Sequence, residues 1–105
     1  MIKAVLDTNV LLSALFWRGT PYHVLENGLR GNFVLVTSFE ILKEVRTKLV
    51  EKFGFPEEDT NIFIEILVVN SFLVNPLEKV HIVIQDSSDD KIIECALAGK
   101  VDFVV

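Results

Sequence analysis

The chain has 105 residues, half of them hydrophobic, with a net charge of −5, a pI near 4.9 and a mean hydropathy of +0.44. That length suits one small domain with one core, and the acidic balance excludes tight nucleic-acid binding driven by bulk charge, so a phosphate-bearing substrate would need local cations. The longest uncharged stretch, residues 66–77, is well short of the ~20 residues that span a bilayer. No signal-peptide pattern opens the chain, and the single cysteine, Cys95, has no partner for an internal disulfide. A cytoplasmic protein with no membrane association, and Cys95 as a buried structural thiol, are the expectations.

Ile2, Ala4, Val5 and Leu6 form a short apolar run that predicts a buried parallel strand over 2–6, closed by Asp7. A helix follows from about Thr8 to Phe16 and breaks at Arg18-Gly19-Thr20-Pro21. Thr20 as a cap, with Pro21 at the first helical position, predicts a second helix ending near Asn27-Gly28 or Gly31. Phe33 to Val36 reads as the second strand. Thr37-Ser38-Phe39-Glu40 has the capping-box pattern and opens a long helix to about Phe53, stopped by Gly54. Pro56-Glu57-Glu58 begins a helix to about Val69, and Phe72 to Val74 is a third strand closed by Asn75-Pro76. Val80 to Ile84 is a brief extended piece. Ser87 or Ser88 starts a helix through Ala98, Gly99 stops it, and Val101 to Val105 is a fourth strand. The order β-α-α-β-α-α-β-α-β predicts an α/β fold, a parallel sheet sandwiched by helices with right-handed crossovers.

In open α/β sheets, ligands bind at the carboxyl edge of the strands. Asp7 stands there, where it can cap the following helix, hold a cation, or do both. Glu44 lies beside the stripe made by Leu42, Val45, Leu49 and Phe53, where a solvated acid paired with Lys48 is the plain alternative to a ligand. Asp90 closes Asp86-Ser87-Ser88-Asp89-Asp90 and also fits a capping box. Three aspartates in five residues nevertheless exceed what one helix start needs, and a divalent cation would relieve their repulsion. Glu94, one turn on, offers a further oxygen. His23, His81 and Cys95 lack zinc spacing, and no glycine-rich phosphate loop or nucleophile elbow is present. Hard oxygen donors without His or Cys point to Mg²⁺ or Mn²⁺.

Three blocks give the chain its resemblance to a known family. They are the opening strand with Asp7-Thr8-Asn9, then Ser38-Phe39-Glu40-Ile41-Leu42-Lys43-Glu44-Val45, then Asp89-Asp90-Lys91-Ile92-Ile93-Glu94-Cys95-Ala96-Leu97-Ala98 with Val101 to Val105. In order and spacing they resemble the PIN-domain nucleases, which include VapC-type toxins. The resemblance implies a three-layer α/β/α fold and Mg²⁺- or Mn²⁺-dependent cleavage of single-stranded RNA, leaving a 5′-phosphate and a 3′-hydroxyl. It implies Asp7, Glu44 and Asp90 as catalytic metal ligands, supported by Thr8 and Asn9, and it implies a homodimer or higher oligomer and a cognate antitoxin. The family's pattern continues with a further acid in a Thr/Ser-x-Asp turn, then a final strand and helix. The sequence stops at Val105, ahead of them, so the expectation is a single PIN-like domain over 1–105, incomplete at its C-terminus, with weak metal affinity and a tendency to self-associate.

The leading expectation is therefore a metal-dependent endoribonuclease, the toxin of a toxin–antitoxin pair. The alternative is a catalytically inactive PIN fold acting as an RNA-binding or protein-interaction module. A receiver-like domain is disfavoured, because nothing between Phe33 and Val69 supplies a strand-end Asp. Lys43, Arg46, Lys48 and Lys52 share one predicted helix and form the expected basic surface for RNA, interleaved with Glu40, Glu44 and Glu51.

Overall fold

The structure, a computed structural model, describes residues 1–76 and 90–105. Its elements are β1 (Lys3–Val5), α1 (Thr8–Phe16), α2 (Thr20–Leu29), β2 (Val34–Ser38), α3 (Phe39–Thr47), α4 (Glu57–Val69), β3 (Ser71–Val74), α5 (Asp90–Gly99) and β4 (Phe103–Val104). The extended piece expected over Val80 to Ile84, the Ser87 or Ser88 cap, Asp86 and Asp89 lie outside the described residues.

All strand pairs are parallel, in the order β3-β2-β1-β4. The chain moves outward from β1 through β2 to β3, then returns to place β4 on the other side of β1. Covering helices explain why β1 reads as a continuous apolar run: Ala4, Val5 and Leu6 are all buried. Alternation along β2 separates the two faces. Val36 and Val74 meet the C-terminal end of α5, and Ser38 on the same face approaches Cys95. On the opposite face Leu35 and Thr37 gather with Leu11 of α1 and Leu67 of α4. The sheet is thus sandwiched between helical layers, as the sequence pattern predicts.

Several local expectations need correction. Gly19, not Thr20, occupies the cap position of α2; no side-chain hydrogen bond caps it, and Thr20 is its first residue. Ser38, not Thr37, caps α3, and its Oγ accepts from the Ile41 N–H at 3.3 Å. Glu40 therefore falls one position short of a capping box. The long helix is not α-helical to Phe53: it widens into a π-helical turn over Lys48–Lys52, with the Phe53 N–H donating to the Lys48 carbonyl at 3.1 Å. The wider turn carries Phe53 out of the expected stripe. Leu49 stays buried, whereas Phe53 is 49% exposed and packs on the Phe16 ring at 5.1 Å between centroids.

The end of α5 is tightly built. A methyl on Gly99 would lie 2.8 Å from Val36 Cγ1, so the helix meets the sheet with no room for a side chain. Lys100 then turns the chain at φ 52°, a left-handed conformation that favours glycine. Opposite outcomes are expected at these neighbours. Gly99→Ala should lower stability by about 1–3 kcal/mol through overpacking, and Lys100→Gly should raise it by about 0.5–1 kcal/mol by relieving the backbone. Urea unfolding midpoints of the two variants check both signs.

Candidate active site

The carboxyl edge of the sheet is assembled by backbone before any side chain is considered. The Asp7 N–H donates to the Val105 carbonyl at 2.9 Å, which fixes the end of β1 against the strand beside it. The Asp7 carbonyl accepts from Val10 and Leu11, opening α1, and Asp7 Oδ1 accepts from the Asn9 N–H at 3.2 Å. Asp7 therefore does cap the helix, and Asn9 supports it through its backbone. Asp102 stands at the opposite end of β4, where its Oδ2 accepts from the Lys3 N–H.

Glu44 projects from α3 into this edge and meets a residue 47 positions away. The Lys91 ammonium, on the first turn of α5, donates to Glu44 Oε2 at 2.9 Å, and the two side chains are only 20% and 17% exposed. Burial pushes the Glu44 carboxyl up. The Thr8 hydroxyl, the Lys91 contact and the charges of Lys91 and Lys48 together outweigh burial and hold the carboxyl below its ordinary value. Thr8 Oγ1 is itself buried without a hydrogen bond of regular geometry among the described residues, so it acts on Glu44 as a nearby dipole. Lys48, the expected partner one turn along, contributes charge rather than contact.

Asp90 opens α5 immediately before Lys91 and is buried at 7% exposed; Glu94, one turn further, is 5% exposed. The structure thus draws Thr8, Glu44 and Lys91 together, each adjacent to or part of one expected acidic position. Among the described residues, no group of three or more Asp, Glu, His or Cys side chains could hold a metal ion. The donor chemistry, hard carboxylate oxygens with a buried hydroxyl, fits Mg²⁺ or Mn²⁺. An ammonium already stands on Glu44.

A model of the PIN-domain family matches residues 3–105. The chain belongs to the PIN-domain family. No curated protein and no solved structure gives a significant match. PIN domains are generally nucleases, and they typically use divalent metal ions. The carboxyl edge of this PIN domain is where such chemistry is to be sought. No helix among the described residues is long and apolar enough to cross a membrane.

The basic residues of α3 and its π-helical turn divide between surroundings. Lys43 and Arg46 line an apolar groove of about 250 Å³ with Phe39, Leu42, Ile64, Val68 and Leu73. Arg46 also donates to Asn61 and pairs with Glu57 at 3.7 Å. Lys48 is half-buried near Glu44, and Lys52 lies over the Phe53 ring. Cys95 is fully buried, and burial pushes its thiol up to about 11 against the opposing Ser38 contact.

Sequence reasoning missed Lys91 as a participant, although it carries a signal. A lysine in the first turn of a helix opposes the macrodipole by about 0.3–1 kcal/mol, so an anionic partner elsewhere in the fold compensates. The pair also predicts a pH dependence. The folded-state carboxyl of Glu44 lies below its ordinary 4.5, so its contribution to stability is complete above that value and is lost as pH falls through the lowered one. Lys91→Met should flatten this part of the acid limb of the stability curve, measured by denaturant unfolding across the carboxylate range.

Proposed function

We propose that this PIN domain is an endoribonuclease cleaving single-stranded RNA, with Asp7, Glu44 and Asp90 presenting oxygens to Mg²⁺ or Mn²⁺ and Glu94 as a further donor. The observation that carries this reading is the meeting of Thr8, Glu44 and Lys91, from three separate helices, at the carboxyl edge of the sheet. When bound, a hard divalent ion supplies charge neutralisation at the scissile phosphate and activation of the attacking water. The chain's own residues do the rest. The Asn9 backbone orients Asp7, and buried Thr8 stabilises ionised Glu44, which Lys91 holds in the metal-free chain. In-line attack at phosphorus leaves a 5′-phosphate and a 3′-hydroxyl.

The test is cleavage of a labelled single-stranded RNA in Mn²⁺ by the chain and by Asp7→Asn. A loss on the order of a hundred-fold is expected for the variant, and equal cleavage by both would reject the assigned site. Exposed Lys43 and Lys52, with Arg46 and Lys48, form the basic surface of this reading. Neutralising Lys48 and Lys52 together should weaken RNA binding and lower the salt slope by about 0.7 for each phosphate that is no longer neutralised; an unchanged slope removes those two from the interface.

The same reading makes the chain a VapC-like toxin, cytoplasmic, held by a cognate antitoxin and associating as a homodimer or higher oligomer. Its support is exposed apolar surface: the groove between α3, α4 and β3, and Phe103, which is 57% exposed beside Val104 on β4. A second reading, a catalytically inactive PIN fold that binds RNA or protein, is favoured by the Lys91–Glu44 contact, with no group of three or more potential ligands gathered among the described residues. Mn²⁺ binding without turnover of any RNA would select it.

A further inference from the structure

We infer that Lys91 is the resident cation of this site: its ammonium occupies Glu44 in the metal-free chain, and a divalent cation gains Glu44 only by displacing it. The inference rests on the reading of Asp7, Glu44 and Asp90 as metal ligands and adds to it a competitor built into the chain.

Geometry carries the argument. The contact is a charge-assisted hydrogen bond of 2.9 Å between side chains that are mostly buried, and it joins α3 to α5 across 47 residues of sequence. It is not the loose i,i+4 pair of a solvated helix face, which water and salt would screen. Lys48 shows the contrast, because it lies four residues from Glu44 and acts on it without contact. A divalent ion placed on Glu44 beside the ammonium would meet a like charge at a few ångströms in a poorly solvated pocket. The two cations therefore exclude one another.

Among the described residues no three potential ligands are gathered, although Asp90 is adjacent to the lysine that reaches Glu44. With one cation already satisfying Glu44, the carboxylates have no electrostatic reason to close up. The apparent metal affinity is then the intrinsic affinity reduced by the fraction of molecules in which Lys91 has left Glu44.

Mn²⁺ calorimetry on the full chain tests this, with Lys91→Gln, Lys91→Arg, Lys48→Gln and Asp7→Asn beside the unaltered protein. Lys91→Gln should bind Mn²⁺ about ten-fold more tightly, because the competitor is gone. Lys48→Gln removes the same charge without removing a contact and should gain at most about two-fold. Lys91→Arg, whose planar fork holds a carboxylate in two-point geometry, should bind several-fold more weakly. Equal gains in Lys91→Gln and Lys48→Gln would reduce Lys91 to part of the general field and overturn the inference. Should Lys91→Gln fail to fold, the arginine variant decides: weaker binding supports displacement, and unchanged or tighter binding overturns it. Mn²⁺ bound by the unaltered chain, lost in Asp7→Asn and indifferent to residue 91 would sink this inference while leaving the nuclease reading in place. Mn²⁺ bound by none of the proteins would overturn both.

Discussion

Strand β1 is held on both edges and both faces, and that confinement sets where everything else goes. Its register with β2 runs Lys3 to Val34 through Val5 to Val36, while Ala4 and Val5 pair on the other side with Phe103 and Val104. A strand in that position presents apolar groups in both directions over Ala4, Val5 and Leu6, so the next polar residue comes at its carboxyl end. That residue is Asp7. Its N–H completes the ladder to Val105 and its carbonyl begins α1, so the carboxylate is delivered to the carboxyl edge by a backbone with no freedom left to move it. Helices α3 and α5 then converge beside that edge, bringing Glu44 and Lys91 into contact.

The edge so formed is electrostatically divided. Burial penalises the Glu44 charge, and the nearby hydroxyl and lysines more than offset the penalty. Such a pair would be of little value on a solvated helix face. Here, breaking it by removing one partner would leave a mostly buried charge uncompensated. The edge thus places a mostly buried carboxylate and the ammonium that compensates it in one direct contact.

The strands and most helices were legible because their signals are local. The apolar run before Asp7, the glycine that ends α5 and the acids opening α4 each declare an element through neighbours in sequence. Cap positions were less legible: Gly19 displaced Thr20, and Ser38 displaced Thr37, because β2 continues two residues further than its apolar run and carries the helix start with it. The π-helical turn had no signature at all. It follows from packing Leu49 inward while Phe53 meets Phe16, a tertiary demand that an ideal helical wheel cannot anticipate. At the edge, Asp7 was visible at a strand end and Asp90 at a helix start, whereas Glu44 showed only as an acid beside an apolar stripe. Lys91 was not visible, because its meaning depends on a partner in another helix and on the depth at which they meet.

Cys95 offers a practical consequence. The chain contains one sulfhydryl, packed between α5 and β2 with its ionisation suppressed by burial. The thiolate is the reactive form, and at neutral pH this residue supplies almost none of it to reagents that cannot in any case reach it. A second cysteine introduced on the surface would therefore be the preferred target of a maleimide dye or spin label in the otherwise unaltered chain. Fluorescent or paramagnetic reporters can be placed near the α3–α5 junction without first removing the native thiol, and distances across the site can be followed as cations are added.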